Sequence, residues 1–278
     1  MHPAIFGEIL YDRFPDGTAV LGGAPFNVCR HLRQLDFDPL MLTRIGDDDA
    51  GKLLLREIDR YDLDPSGIQI DLDHPTGEVL VTLDDNGEAV YTIAPNQAWD
   101  YIEPVVPEEF ARPEPPPDLL YAGSLALRTP EAQARFMQLA DELACPIYVD
   151  INLRQNWWSH DLANELLQLA FCFKCNEEEF NTLFGDVDPK AFREQHELDF
   201  LLLTRGARGL SFYSYRGTFH ADPPQLKGPI VDTVGAGDAT AAVSIVGYLE
   251  DWHPKRTVQE AVRRAAQVCR VQGAALAY

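Results

Sequence analysis

One short run of this chain, DTVGAGDATAA over residues 232–242, sets two glycines and a second acid against small, helix-compatible residues. Glycine reaches backbone conformations closed to other residues, so the amides of Gly235, Ala236 and Gly237 can converge on one point ahead of a helix read over Ala239 to Tyr248. Such a point holds an anion. Asp238 falls in the first turn, where capping would account for the acid but would leave both glycines unexplained. An anion hole beside a carboxylate suits phosphoryl transfer: amides take the charge on the moving group while a base takes a proton from the attacking hydroxyl.

Other residues have the chemistry to serve such a reaction. Asp12 and Asn27 supply a carboxylate and a carboxamide, the groups that accept from and donate to a polyol, although each alone also reads as a loop acid or a cap. In DINLR, Asp150, Asn152 and Arg154 alternate after a strand, and the Arg154 fork suits a phosphate or an acidic sugar. CNEEEF sets Asn176 three residues before Glu179, and a carboxylate near a phosphate needs a cation such as Mg2+ between them. Glu177 and Glu178 read as a solvated acidic helix start. LLLTRGARGLSFY is an apolar strand ending in Thr204, Arg205 and Gly206, then Gly209, which reads either as a nucleotide turn or as a plain hairpin. Two decoys are set aside. GDDDAGK, from Gly46 to Lys52, has Leu53 where a phosphate loop needs Ser or Thr, and three aspartates would repel the phosphate. Cys172 and Cys175 form a CxxC, but in a strand residues three apart face opposite ways, and no second pair completes a zinc site. Trp157 and Trp158 read as packing anchors.

The elements that must position these groups alternate. Apolar runs at Ile5 to Leu10, Leu119 to Ala122, Ile147 to Val149, Phe171 to Phe173 and Leu201 to Leu203 read as buried strands. Helical patterns lie between or beside them at Ala24 to Gln34, Gly51 to Tyr61, Pro130 to Leu143 and Leu162 to Ala170. This predicts βαβ units and a mostly parallel sheet, with ligands at the carboxyl ends of its strands. Residues 78–93 instead alternate polar and apolar around Asn86-Gly87, a hairpin signal, and with the stretch after Leu10 they predict a small separate sheet acting as a lid. The Pro-rich stretch 103–118 reads as a surface crossover within one domain spanning 1–278, with lid segments at about 10–22 and 76–97.

The composition excludes whole classes. With 44 acids against 23 bases, the net charge of −21 repels nucleic acid and anionic membrane surfaces, while 46% hydrophobic residues fill a core. No apolar run approaches a membrane span, and five unpaired-looking cysteines agree with a reducing compartment, so a cytoplasmic location is expected.

The motifs together resemble the ribokinase-like (PfkB) carbohydrate kinases. DTVGAGDA is similar to that family's DTxGAGD signature, GEILYD to its first strand, and LGGAPFNVCRHLRQLDFDPLMLTRIGDDDAG, residues 21–51, to its N-terminal pattern, most closely in the fructokinase-like branch. The resemblance implies a three-layer αβα ribokinase-like fold with a small β lid. It implies ATP and Mg2+ as cofactors, with K+ in many members. It makes Asp238 the base, and the amides of Gly235, Ala236 and Gly237 the receivers of the phosphoryl charge. Gly23 and Asn27 would touch the sugar with Asp12, and Asn152 and Arg154 belong to a DxNxR segment of fructokinase-like and acid-sugar kinases. Asn176 and Glu179 match the NxxE motif that organises Mg2+ through water; Thr204, Arg205, Gly206 and Gly209 match the nucleotide turn, and Gly273 the GA turn beside adenine. Carbonyls near Asp232 and Val234 would hold the monovalent cation. The implied activity is transfer of the γ-phosphoryl of ATP to a sugar, fructose first, with 2-keto-3-deoxygluconate, ribose or a nucleoside as alternatives. Another class of answer is a sugar-binding regulator without catalysis. Residues 91–102 lack the arginine expected of typical fructokinases, and exposed lid edges would allow a homodimer.

Overall fold

The computed structural model describes residues 1–83, 89–105, 117–154, 157–225, 228–274 and 276. The expected Asn86-Gly87 turn and most of the Pro-rich crossover lie outside these residues.

Nine strands form the main sheet in the order β13-β12-β11-β10-β9-β8-β1-β4-β5. From β11 (Phe200–Thr204) through β10 (Cys172–Asn176), β9 (Ile147–Asp150), β8 (Leu120–Gly123), β1 (Ala4–Phe6), β4 (Leu40–Gly46) and β5 (Ile68–Asp71) every pairing is parallel. β12 (Leu210–Ser214) and β13 (Gly217–Ala221) close one edge antiparallel. Alternating strand residues feed two cores, one on each face, as a sheet covered on both sides requires. Phe6, Val149, Phe173 and Cys175 pack on one face with α3 (Pro130–Leu143) and α4 (His160–Leu169). Ile5, Tyr148, Cys172 and Leu202 pack on the other with α1 (Ala24–Arg33) and α7 (Ala236–Leu249). Cys172 and Cys175 therefore sit in different cores, both as free thiols.

The lid segments pair as expected. β2 (Leu10–Arg13), β3 (Ala19–Gly22), β6 (Gly77–Leu83) and β7 (Ala89–Ile93) make a second sheet in the order β3-β2-β6-β7. The expected strand from Ile5 to Leu10 is two elements. The chain breaks at Gly7 (φ +149°), where a Cβ would lie 2.3 Å from Pro25 Cγ, and Leu10 belongs to the lid. The rejected phosphate loop is a helix start: Asp48 caps α2 (Asp49–Arg60) by accepting from the Gly51 amide, and it also holds the Thr76 amide and hydroxyl. Arg128 joins the lid to the main body. Its guanidinium, which has no exposed surface, pairs with Asp100 at 2.7 Å and donates to the Ala94 carbonyl at 2.7 Å. It lies between the Trp99 and Trp157 rings at 4.0 and 4.2 Å, so Trp157 packs as expected.

Candidate active site

The glycine turn is tighter than its sequence suggests. α7 begins at Ala236 rather than Ala239, because Gly235 (φ +79°) is the residue before the first helical turn. A Cβ on Gly235 would lie 2.2 Å from the Ala274 carbonyl oxygen, so glycine is required there twice over. Gly237 is helical, and a Cβ on it would meet only Lys174 Nζ, at 3.6 Å; its freedom of conformation is not used. The Ala236 amide is already engaged, donating to the Thr233 carbonyl at 3.3 Å. Among the described residues the amides of Gly235, Gly237 and Asp238 have no acceptor, as expected of a helix start, and they are the donors this turn offers an anion.

Asp238 is the acid beside them. Its Oδ2 accepts from Asn27 Nδ2 at 2.8 Å, which joins α7 to α1 across 211 residues of chain. Its carboxyl is raised to about 6, first by burial; Asn27 opposes that shift, Asp150 adds to it, and Lys174 and Arg154 oppose it. Asp12 stands on the lid face that also carries the buried Val79, and it too is raised to about 6 by burial, with the Arg154 charge pulling the other way. Gly23 is demanded by the backbone: its φ is +106°, and a Cβ would sit 2.5 Å from the Glu8 carbonyl oxygen. Arg154 has no ion-pair partner among the described residues, yet its charge acts on Glu8, Asp12, Asp150 and Asp238. Asn152 is held by its backbone, exchanging hydrogen bonds with Ser124 Oγ at 3.1 Å.

Behind the turn lies a cavity of about 740 Å³, the size of a nucleotide site. Thr204, Arg205, Gly206 and Gly209 line it at and beyond the end of β11, and Ala236 and Gly237 at the start of α7. Ile230, Val262 and Ala266 supply an apolar wall further out. The TRGARG stretch is a hairpin and a cavity wall at once, with Gly209 (φ +76°) admitting the close Ala221 carbonyl. Asn176 and Glu179 form a capping box: Asn176 Oδ1 accepts from the Glu179 amide, and Glu179 Oε2 from the Asn176 amide, both at 2.8 Å. Glu179 Oε1 also accepts from the Leu153 amide at 3.0 Å, so a water-bridged magnesium would use the remaining lone pairs. Glu177 is not simply solvated. It pairs with Arg205 at 3.0 Å and with Arg208, and it lines the cavity. Asp232, next to the cavity-lining Thr233, accepts from the amides of Val234 at 3.0 Å and Gly273 at 3.2 Å.

Three groups are given no role by the sequence motifs. Lys174 Nζ is buried and donates to both Asp150 oxygens, at 2.6 and 2.8 Å, beneath the glycine turn. Burial presses its pKa down, but Asp150 outweighs that and leaves the ammonium more basic than usual. Tyr121 donates to Asp150 at 3.2 Å, and Glu8 is buried beside Asp238. The readable signal for Lys174 was a lysine between two cysteines in a buried strand, because such a charge needs a partner.

A family model described as pfkB family carbohydrate kinase matches residues 8–278. A fructokinase from Escherichia coli is 29% identical over 260 residues, covering 87% of this chain and 83% of that protein. An uncharacterized sugar kinase from Pyrococcus horikoshii in complex with ATP superposes with a TM-score of 0.82 at 22% identity, covering 99% of this chain and 94% of the other. A double mutant of the fructokinase from Vibrio cholerae O395, in its fructose, ADP and potassium ion bound form, gives 0.80 at 22% identity, covering 98% and 93%. These two structures are similar in fold.

Proposed function

We propose that this chain, which belongs to the pfkB family of carbohydrate kinases, transfers the γ-phosphoryl group of ATP to a hydroxyl of a sugar, with fructose as the first substrate. One observation carries the reading. Asp238, fixed by Asn27, stands in the first turn of a helix where, among the described residues, the amides of Gly235, Gly237 and Asp238 have no acceptor, and the start of that helix lines a cavity of nucleotide size.

In this reading Asp238 accepts the proton of the attacking hydroxyl, and Asn27 keeps the carboxylate aimed at it. Asp12, Gly23, Asn27 and Asn152 hold the sugar's remaining hydroxyls. Gly235, Gly237 and Asp238 present their amides to the charge that develops on the transferred group, and Lys174 adds a buried cation beneath them. Arg205, Thr204, Gly206 and Gly209 hold the nucleotide, with Gly273 on the adenine side and Glu177 steering Arg205. ATP supplies the phosphoryl group, and Mg2+ neutralises its charge when bound. Asn176 and Glu179 would hold that ion through water, and carbonyls near Asp232 and Val234 would take K+. The lid excludes water that would otherwise be the acceptor.

An acidic sugar such as 2-keto-3-deoxygluconate is the second reading. It is favoured by Arg154, a cation among carboxyls that pairs with none of them among the described residues. An assay of ATP-dependent phosphate transfer across fructose, 2-keto-3-deoxygluconate, ribose and nucleosides decides between them. Inactivity on fructose at millimolar concentration removes the first choice, and inactivity on every acceptor removes the kinase reading.

A further inference from the structure

The sugar side holds two buried oxygens that need a proton. Glu8 is 3% exposed and Asn27 is 4% exposed. Glu8 Oε1 accepts from the Ala24 amide at 3.3 Å, at the first turn of α1, and Asn27 lies three residues further along the same helix. Among the described residues, neither Glu8 Oε2 nor Asn27 Oδ1 has a hydrogen-bond partner. Asn27 cannot turn to solve this, because its Nδ2 must face the Asp238 carboxylate. Both orphans are acceptors, both are closed to bulk water, and of the two oxygens only Glu8 Oε2 can carry a hydrogen.

We propose that Glu8 works as a neutral carboxylic acid whose Oε2–H is donated to Asn27 Oδ1, locking the carboxamide with its Nδ2 toward Asp238. Glu8 is then a positioning residue, acting on the base through Asn27. The charged groups around Glu8 fit a neutral state. Asp238 faces it from α7, the Tyr121 hydroxyl from β8, and Arg154 from the loop after β9; Lys174 is engaged by Asp150 and also acts on Asp238, while Glu8 draws on Arg154, a cation it shares with Asp12, Asp150 and Asp238, so its ionised form is poorly compensated. Burial agrees, raising Glu8 from 4.5 to about 7, against its own backbone amide, the Ala24 amide and Arg154. Loss of the proton to solvent leaves Asn27 without a donor and sets another negative charge opposite Asp238.

The inference rests on the kinase reading only for its kinetic arm. Carboxyl-carbon NMR of the full wild-type chain without ligand, with Glu8 assigned through its neighbour Ala24, is expected to show a titration midpoint near 7; a midpoint near 4.5 overturns the proposal. In steady state, kcat/KM of the wild type is expected to fall about tenfold per pH unit above that midpoint. Glu8→Gln keeps the donor without the titration, so it is expected to stay within about threefold of wild type at pH 6.5 and to lose the alkaline fall. Glu8→Ala is expected to lose at least about tenfold at every pH. An unchanged alkaline fall in Glu8→Gln, or Glu8→Gln as poor as Glu8→Ala, overturns the proposal. If no sugar is phosphorylated at all, the kinase reading falls while the NMR midpoint still decides the state of Glu8.

Discussion

The two glycines of the turn, alike in the sequence, should fail differently. Gly235→Ala forces a Cβ into the left-handed region at φ +79° and to 2.2 Å from the Ala274 carbonyl oxygen, 2.5 Å from Ala274 Cα and 2.7 Å from its carbonyl carbon. The backbone term costs about 1–2 kcal/mol, and overpacking against immovable main chain adds about 1–3 kcal/mol. The turn must therefore move, and it carries the donors. Gly237→Ala meets no such barrier: its backbone is already helical, its Cβ would touch Lys174 Nζ at an ordinary 3.6 Å, and alanine gains up to about 1 kcal/mol of helix propensity. Its methyl group, however, enters the wall of the cavity where the phosphoryl group would lie. Calorimetry and steady-state kinetics on both variants separate the effects. Gly235→Ala should lower Tm by roughly 4–15 °C and kcat by about a hundredfold, because displacing catalytic donors by about an ångström costs that much. Gly237→Ala should melt with the wild type or up to about 4 °C above it, and lose at least about tenfold in kcat/KM. A Gly237→Ala enzyme with full activity, or a Gly235→Ala enzyme with unchanged Tm, would refute the reasoning.

Two further outcomes follow from buried charge. Arg128→Met leaves Asp100 buried without its partner, a loss of about 3–5 kcal/mol, and frees the lid from the Trp157 loop. A Tm drop of roughly 10 °C with a raised sugar KM is expected, and a drop under about 2 °C would contradict it. Glu8 is raised to about 7, and Asp12 and Asp238 to about 6, so the folded chain binds these protons more tightly than the unfolded chain does. Stability from these groups is lost as pH rises through about 6 to 7, and Tm of the unliganded protein should climb on going from pH 8 to about 5.5. A Tm that falls over that interval would count against the three shifts.

Much of this arrangement is legible because its causes are local. Pro130 to Leu143 shows in its capping threonine and helical spacing, and the observed helix has the same bounds. The buried strands show as apolar runs, and the lid shows as an alternation that the main sheet lacks. What fails to show is set by distant chain. Ile5 to Leu10 looks continuous because the break at Gly7 depends on Pro25 lying against it. Gly235 and Gly237 look equivalent because only Ala274, far along the chain, distinguishes them. Glu177 reads as a solvated acid until β11 brings Arg205 to it. Lys174 and Asp150 lie on adjacent strands whose pairing no local pattern fixes.

The most direct trial of the account is Asp238→Asn, which keeps the shape of the side chain and removes the basic oxygen. Sugar binding measured by calorimetry should persist while phosphate transfer falls by about a factor of 1,000. Turnover within tenfold of the wild type would mean that the proton leaves the sugar by another route.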